Sequence, residues 1–178
     1  MTEDLEQRIR DIYQTYYEDV YSFLYYFTGR REDAEDMTQE VFTRLLKALP
    51  RYDGRVSMRT WLFSIARYAA IDQYRKQKLF SLFSKNELED MKSCEGLPEQ
   101  SLESKEEMRM VNEALQKLKP HYRMVVILRG VREHSIKETA ELLNITEAKV
   151  RVDYHRALKM LQKSLGDEKG GVFGEFAR

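Results

Sequence analysis

Apolar residues in this chain recur at every third or fourth position over long stretches, and no stretch alternates convincingly with the period of two that marks a half-buried strand. The first run is Ile9, Ile12, Tyr13, Tyr16, Tyr17, Val20, Tyr21, Phe23, Leu24, Tyr25, Tyr26 and Phe27, and Gly29 is the candidate C-terminal cap of the helix it predicts. The density of rings fits a packed face with phenol groups at its wet edge. The second run, Ala34, Met37, Val41, Phe42, Leu45, Leu46 and Leu49, predicts a helix that starts after Arg31 and stops at Pro50. Asp53-Gly54 is a turn signal. A third helix follows from about Ser57 to Lys78, with Trp61, Leu62, Ile65, Ala66 and Ala69 on its apolar face. Periodicity is lost over 79–105, where Gly96-Leu97-Pro98 lies in a Ser-, Glu-, Lys- and Asn-rich stretch. This segment reads as an exposed acidic linker, with Leu79, Phe80, Leu82 and Phe83 as a short docking segment at its start.

Helical spacing resumes with Met108, Val111, Leu115 and Leu118, stopped at Lys119-Pro120, and again with Tyr122, Val125, Val126, Ile127 and Leu128, ended near Gly130. The stretch from Ser135 to Val150 has the grammar of a helix-turn-helix. Ser135 can cap a helix, and Glu138 three residues later completes a capping box. Ile136, Ala140 and Leu143 point inward, and Ala140 is small where two helices approach closely. Asn144 tolerates the left-handed backbone that the turn needs. Ile145 plugs the turn, and Thr146 caps the next helix. Val150, Tyr154, Ala157, Leu158, Leu161 and Leu165 then define a buried face. The opposite face holds Lys149, Arg151, Val152, His155, Arg156 and Lys159, a set suited to a DNA major groove. The expected fold is all-α, with two small helical domains joined by a flexible linker and a helix-turn-helix in the second.

Charge adds a division that the apolar pattern does not show. Lys and Arg total 30 and so do Asp and Glu, yet the net charge is −5 over residues 1–50, +5 over 51–78, −5 over 79–107, +6 over 108–165 and −1 over 166–178. Two basic blocks suit an anionic polymer, and two acidic blocks suit a basic protein partner or a solvated linker. In the third helix the cations Arg59, Arg67, Arg75, Lys76 and Lys78 are interleaved with Tyr68 and Tyr74, which suits unpaired nucleic acid: bases stack on rings while cations meet phosphates. The second helix opens with Glu32, Asp33, Glu35 and Asp36, where acid offsets the helix dipole. Its dipole does not account for Gln39 and Glu40, further along the exposed side, so a docking face for a basic partner helix is the functional alternative.

Other chemistries find little support. The histidines His121, His134 and His155 have no His or Cys partner at metal-ligand spacing, and there is no Gly-rich phosphate loop or serine elbow. No cofactor, metal or catalytic residue is expected. No apolar run reaches the length of a membrane span, and the acidic start Met1-Thr2-Glu3-Asp4 does not resemble a signal peptide. The single cysteine, Cys94, fits a reducing cytoplasm.

Three motifs in order carry a family resemblance over about residues 10–165. They are Asp33-Ala34-Glu35-Asp36-Met37-Thr38-Gln39-Glu40-Val41-Phe42, then Thr60-Trp61-Leu62-Phe63-Ser64-Ile65-Ala66-Arg67 with Ile71-Asp72 and Arg75-Lys76, then residues 135–161 with His155-Arg156-Ala157. The chain resembles the extracytoplasmic-function group of bacterial RNA polymerase sigma factors. The resemblance implies that Glu35, Asp36, Gln39, Glu40 and Phe42 bind core RNA polymerase, through its β and β′ subunits. It implies that Arg55, Ser57, Arg59, Trp61, Arg67, Tyr68, Arg75 and Lys76 hold and melt the −10 promoter element, with a flipped base in the loop 53–59. It further implies that Thr146, Lys149, Arg151, Val152, His155, Arg156 and Lys159 read the −35 element as duplex. The domains would be 1–78, a linker 79–105 threading the polymerase, 106–165, and a tail 166–178. An anti-sigma protein, often membrane-bound in this family, is an implied partner. Tyr68 stands where the family commonly has Asn, and Val152 and Asp153 stand at often polar or basic places; Asp153 would repel phosphate if it faced DNA. An autonomous helix-turn-helix regulator and a helical adaptor that binds no DNA are the competing readings. The first would bind duplex tightly without polymerase, and the second would show weak salt dependence.

Overall fold

Gly29 ends the first helix for two separate reasons. Its φ of +75° lies in the left-handed region, and its N–H donates to the Tyr25 carbonyl at 2.8 Å, closing the helix end. A Cβ there would also lie 2.7 Å from the Gln116 side chain, so the second half of the molecule packs directly on this turn. The computed structural model describes residues 2–83 and 102–166. Cys94, most of the expected linker and the tail after Gly166 lie outside the described residues.

The elements are α1 (Thr2–Thr28), α2 (Arg31–Ala48), a 3-10 turn (Leu49–Arg51), α3 (Met58–Phe83), α4 (Leu102–Gln116), α5 (Pro120–Val126), a π-helical turn (Ile127–Val131), α6 (Ile136–Leu143) and α7 (Glu147–Leu165). Among the described residues there is no strand. Pro50 falls inside the 3-10 turn, so α2 ends as its position predicts. The third helix runs five residues past Lys78, through Leu79, Phe80, Leu82 and Phe83, all of them exposed. The sequence reading ended it early because nothing there faces a core, and amphipathic spacing is what marks a helix in sequence.

The first three helices pack on one another around Phe23, Leu24, Phe27, Leu45, Leu62 and Phe63, each essentially inaccessible to water. Each such side chain contributes about 1.5–3 kcal/mol by leaving water. The helical segments after α3 bury Leu115, Met124, Ile127, Leu128 and Leu161 in the same way, and the two sets form one continuous apolar cluster. The sequence left the relative placement of the halves open; the structure packs them together.

Polar side chains bolt that junction. Arg123, 6% exposed, donates from Nη1 to the Phe27 carbonyl at the end of α1 at 2.6 Å, and from its other nitrogens to the carbonyls of Leu115, Gln116 and Leu118. Gln116 donates to the Tyr26 carbonyl at 3.0 Å, and Asn112 to that of Gly29 at 3.3 Å. On the other side of α1, Arg132 pairs with Asp19 at 2.5 Å while its carbonyl accepts from Arg59 Nη2 at 2.6 Å.

His134 is fully buried at this junction, its ring 4.6 Å from that of Phe63 and edge-on to it. Neither ring nitrogen meets a hydrogen-bonding partner among the described residues. Burial, with the nearby Arg59 and Arg132 charges, pushes its pKa down to about 4 from 6.5. Between those values the unfolded chain binds the proton and the folded chain does not, so stability rises with pH through that window. Acidification from pH 7 to pH 5 is expected to cost about 2 kcal/mol through this one group. Urea unfolding of the wild type and of His134→Leu at both pH values measures it: the variant should lose correspondingly less, and equal losses would show that His134 is not the titrating group.

Candidate nucleic-acid interfaces and docking face

The second half presents its charges on a helix that is fixed at its start. Ser135 Oγ accepts from the Glu138 backbone at 3.1 Å, and Glu138 Oε2 accepts from the Ser135 backbone at 2.7 Å, the reciprocal capping box. The Ser135 N–H holds the Glu138 carboxyl below its usual pKa. Asn144 has φ 53° and ψ 49°, the left-handed turn expected of it. Thr146 Oγ1 accepts from the Lys149 backbone at 3.2 Å and starts α7. Val125, Ala140 and Val150 form a small cluster that fixes α7 against α5 and α6. On α6, Leu142 is buried more deeply than Leu143, and Ile136 is only partly buried.

On α7, Val150, Asp153, Ala157 and Leu161 are buried. Lys149, Arg151, Val152, His155, Arg156 and Lys159 are all exposed, with Val152 at 47%. Arg151 pairs with Glu147 at 3.3 Å. Asp153 does not face outward. It is 2% exposed, and its Oδ2 takes Lys149 Nζ at 2.7 Å and His121 Nε2 at 2.5 Å. Burial raises its pKa, but the hydrogen bonds from Lys149 and His121 outweigh that and hold it below the usual carboxylate value. The repulsion expected of an outward Asp153 therefore does not arise.

The basic and aromatic face of α3 is reached through the loop 52–57. Tyr52 donates to the Val56 carbonyl at 2.5 Å, and its ring lies 4.8 Å from that of Trp61. Asp53 Oδ1 accepts the Arg55 N–H at 3.1 Å, and Gly54 has φ +74°. Ser57 Oγ accepts the Thr60 N–H at 3.1 Å, so it caps α3. Arg55 is 88% exposed. Trp61 is half-buried and braces the loop rather than standing free of it. Arg67 lies over the Tyr68 ring at 4.3 Å, and Tyr68 is 58% exposed, so the two make one flat cationic surface. Arg75 and Lys76 are exposed beyond them. Arg59 is half-buried and spends its guanidinium on the Arg132 carbonyl of the other half.

On α2, Asp36, Gln39 and Glu40 are exposed, Glu35 is half-exposed and pairs with Arg31 at 2.7 Å, and Glu40 pairs with Arg44 at 2.8 Å. A groove of about 300 Å³ runs beside them toward α3, lined in part by Asp36, Glu40, Arg44, Asp72 and Lys76. Phe42 is turned the other way. It is 7% exposed and packs on Tyr13 at 4.9 Å, so it supports the face from within instead of forming part of it. The sequence gives His121 no partner and does not single out Arg123 or Arg132. No local signal marks them, because each acts on a residue far away in the chain.

Two family models match the chain: Sigma-70 region 2 over residues 12–80, and Sigma-70, region 4, over residues 108–161. The chain is similar to the ECF RNA polymerase sigma factor SigX of Bacillus subtilis strain 168, with 36% identity over 166 residues, covering 90% of this chain and 85% of the relative. It is also similar to the RNA polymerase sigma factor YlaC of the same strain, at 35% over 159 residues, covering 88% of this chain and 91% of the relative. The fold is shared with the sigma factor RpoE crystallised in complex with the anti-sigma factor NepR from Bartonella quintana, at TM-score 0.75 and 20% identity, over 92% of this chain and 97% of that one. It is shared too with CnrH in complex with the cytosolic domain of CnrY, at TM-score 0.70 and 21% identity, over 92% of this chain and 90% of that one.

The cap on α7 gives a direct test of this geometry. Thr146→Ala removes the acceptor for the Lys149 N–H and is expected to cost about 1 kcal/mol, read as a lower urea midpoint with unchanged slope. No change in midpoint would mean that the cap does not hold the helix start.

Proposed function

The chain belongs to the extracytoplasmic-function sigma factors, the subunits that direct RNA polymerase to particular promoters and carry no catalytic site of their own, and from that premise we propose how its surfaces divide the work. The acid and amide face of α2, led by Asp36, Gln39 and Glu40, docks on core polymerase at its β and β′ subunits. The loop 53–59 and the outer face of α3 hold the −10 element and keep its strands apart. The outer face of α7 reads the −35 element in the major groove. In this division residues 1–78 and 106–165 are the working domains, 79–105 spans them inside the polymerase, and 166–178 is a tail.

The observation that carries the reading is the outer face of α7. Six exposed residues, four of them Lys or Arg, stand opposite the buried side of Val150, Asp153, Ala157 and Leu161 on a helix whose start is capped and whose rotation is fixed by α5 and α6. Such a helix can enter a groove without unfolding any part of its own domain. On α3, the Arg67–Tyr68 pair offers a ring and a charge at one point, as stacking on an unpaired base requires.

The packed halves add a step. Arg59 donates to the Arg132 carbonyl across the junction, so this guanidinium must exchange that acceptor before it can serve DNA. The halves therefore separate on joining polymerase, and the compact arrangement belongs to the free chain. We further propose that an anti-sigma protein masks these surfaces, as the complexes of RpoE with NepR and of CnrH with CnrY suggest by their fold. The cytoplasm, where polymerase works, is the assigned location; among the described residues no helix is long and apolar enough to cross a membrane.

In vitro transcription by core polymerase with and without the chain, over a promoter library randomised at both elements, tests the function and returns the recognised sequence. Transcripts that depend on the chain and on both elements are expected; tight duplex binding without polymerase, and no dependence, would overturn it. Asp36→Lys or Glu40→Lys is expected to weaken core binding about tenfold with helicity unchanged, since the ion pair that Glu40 makes is exposed and worth little to the fold. Retained core binding would remove the docking face. Arg156→Ala is expected to weaken binding of the −35 duplex by about 1–3 kcal/mol if it reads a base edge. Unchanged binding would remove the groove assignment.

A further inference from the structure

We propose that Asp153 is a positioning residue for −35 recognition: from inside the domain it holds Lys149 at the α5 edge of the reading helix, and so sets which bases that lysine can meet. The inference rests on the sigma-factor reading above and goes beyond it, because it assigns base preference to a side chain that DNA never touches.

The argument starts from a buried carboxylate. Asp153 lies on the inward face of α7 with Val150, Ala157 and Leu161, and is 2% exposed. A carboxylate is kept in such a place only when it is paired, since leaving water unpaired is strongly unfavourable. Both partners converge on one oxygen, Oδ2: Lys149 Nζ at 2.7 Å from one turn earlier on the same helix, and His121 Nε2 at 2.5 Å from the first turn of α5. The lysine side chain is 52% exposed and the histidine 42%, so the pair is sealed on the protein side and open on the other.

Lys149 is thereby fixed at both ends. Its backbone N–H donates to Thr146 Oγ1 at 3.2 Å, and its ammonium is drawn across to Asp153. It sits in the first turn of α7, the half of a reading helix that meets base edges. A free lysine sweeps a wide arc and finds phosphates, which hold a protein on DNA without reporting sequence. An ammonium anchored on an inner carboxylate has its remaining donors aimed in one direction, so it reaches few base atoms. His121 keeps the carboxylate from turning with the lysine. Exposed Arg156, by contrast, has no ion pair among the described residues and keeps its reach.

The test uses full-length chain with core polymerase on a promoter library randomised only at the −35 element. Wild type, Lys149→Met, Asp153→Asn and the double variant are compared. Lys149→Met and Asp153→Asn are expected to lose about tenfold of the discrimination at the same one or two base positions, with the double variant no worse than either. The −10 preference, measured on a second library, should stay as in wild type. Asp153→Asn should also bind a scrambled duplex more tightly, with steeper salt dependence, because it releases a lysine to the phosphates; Lys149→Met should not. The inference is overturned if Asp153→Asn keeps the wild-type profile, or lowers output evenly over all −35 sequences while Lys149→Met leaves the profile alone. Circular dichroism of each variant separates that even loss from unfolding; if Asp153→Asn is unfolded, Asp153→Glu, which keeps the charge and moves the lysine's anchor, carries the test, with a changed preference at the Lys149 positions expected and an unchanged profile overturning the inference. Should wild-type chain itself give no promoter-dependent transcripts, the sigma-factor reading fails first and takes this inference with it.

Discussion

A guanidinium cut off from water organises the free molecule. Arg123 offers its nitrogens to four backbone carbonyls, three of them at the end of α4 and its turn and one, from Phe27, at the end of α1. Carbonyls at helix ends have no partner within their own helix and carry the negative end of the dipole. One cation therefore satisfies the ends of two helices from different halves. Burial lowers the pKa of this group, but its ordinary value is so high that the charge is retained. Around that point Phe27, Leu115 and Met124 close the apolar cluster, and Gly29 lets Gln116 approach where any side chain would collide.

That closure decides where the charged faces can be. With α1 and the inner sides of α2, α3, α5 and α7 committed to one core, the carboxylates of α2 and the cations of α3 and α7 are left outside. The three faces lie on different helices, so each is free to meet a partner of its own. The junction also borrows from those faces. Arg59 lies on α3 beside the loop 53–59, yet its guanidinium serves the Arg132 carbonyl. The acidic Asp19 of α1 holds Arg132, and His134 lies against Phe63 of α3, so the contacts between the halves draw on both helices.

The parts that were legible from the chain alone are those whose cause lies within a few residues. The Ser135–Glu138 box, the left-handed Asn144 and the Thr146 cap each depend on neighbours three residues away or fewer, and all three stand as the pattern implies. The exposed row on α7 follows from the helical period once Val150, Ala157 and Leu161 are placed inside. The end of α3 was not legible, because Leu79 to Phe83 continue a helix that no longer has a core to face. Phe42 enters the polymerase-binding set only through the family motif, while the helical period already groups it with Val41 and Leu45 on the buried side. It stands two residues after Glu40, and two residues along a helix turn a side chain to the far side.

By itself, then, the sequence determined the all-helical architecture, the three charge-bearing helices, the helix-turn-helix and its family, since period, caps and charge are properties of short stretches. Tertiary structure alone decided that the two halves share a core, that Arg59 is engaged across it, and that Asp153 turns inward to hold Lys149 and His121. Those outcomes depend on desolvation and on partners brought in from distant parts of the chain. Whether a carboxylate faces outward or steadies a lysine is settled by which partners meet it inside, and one of them is 32 positions away.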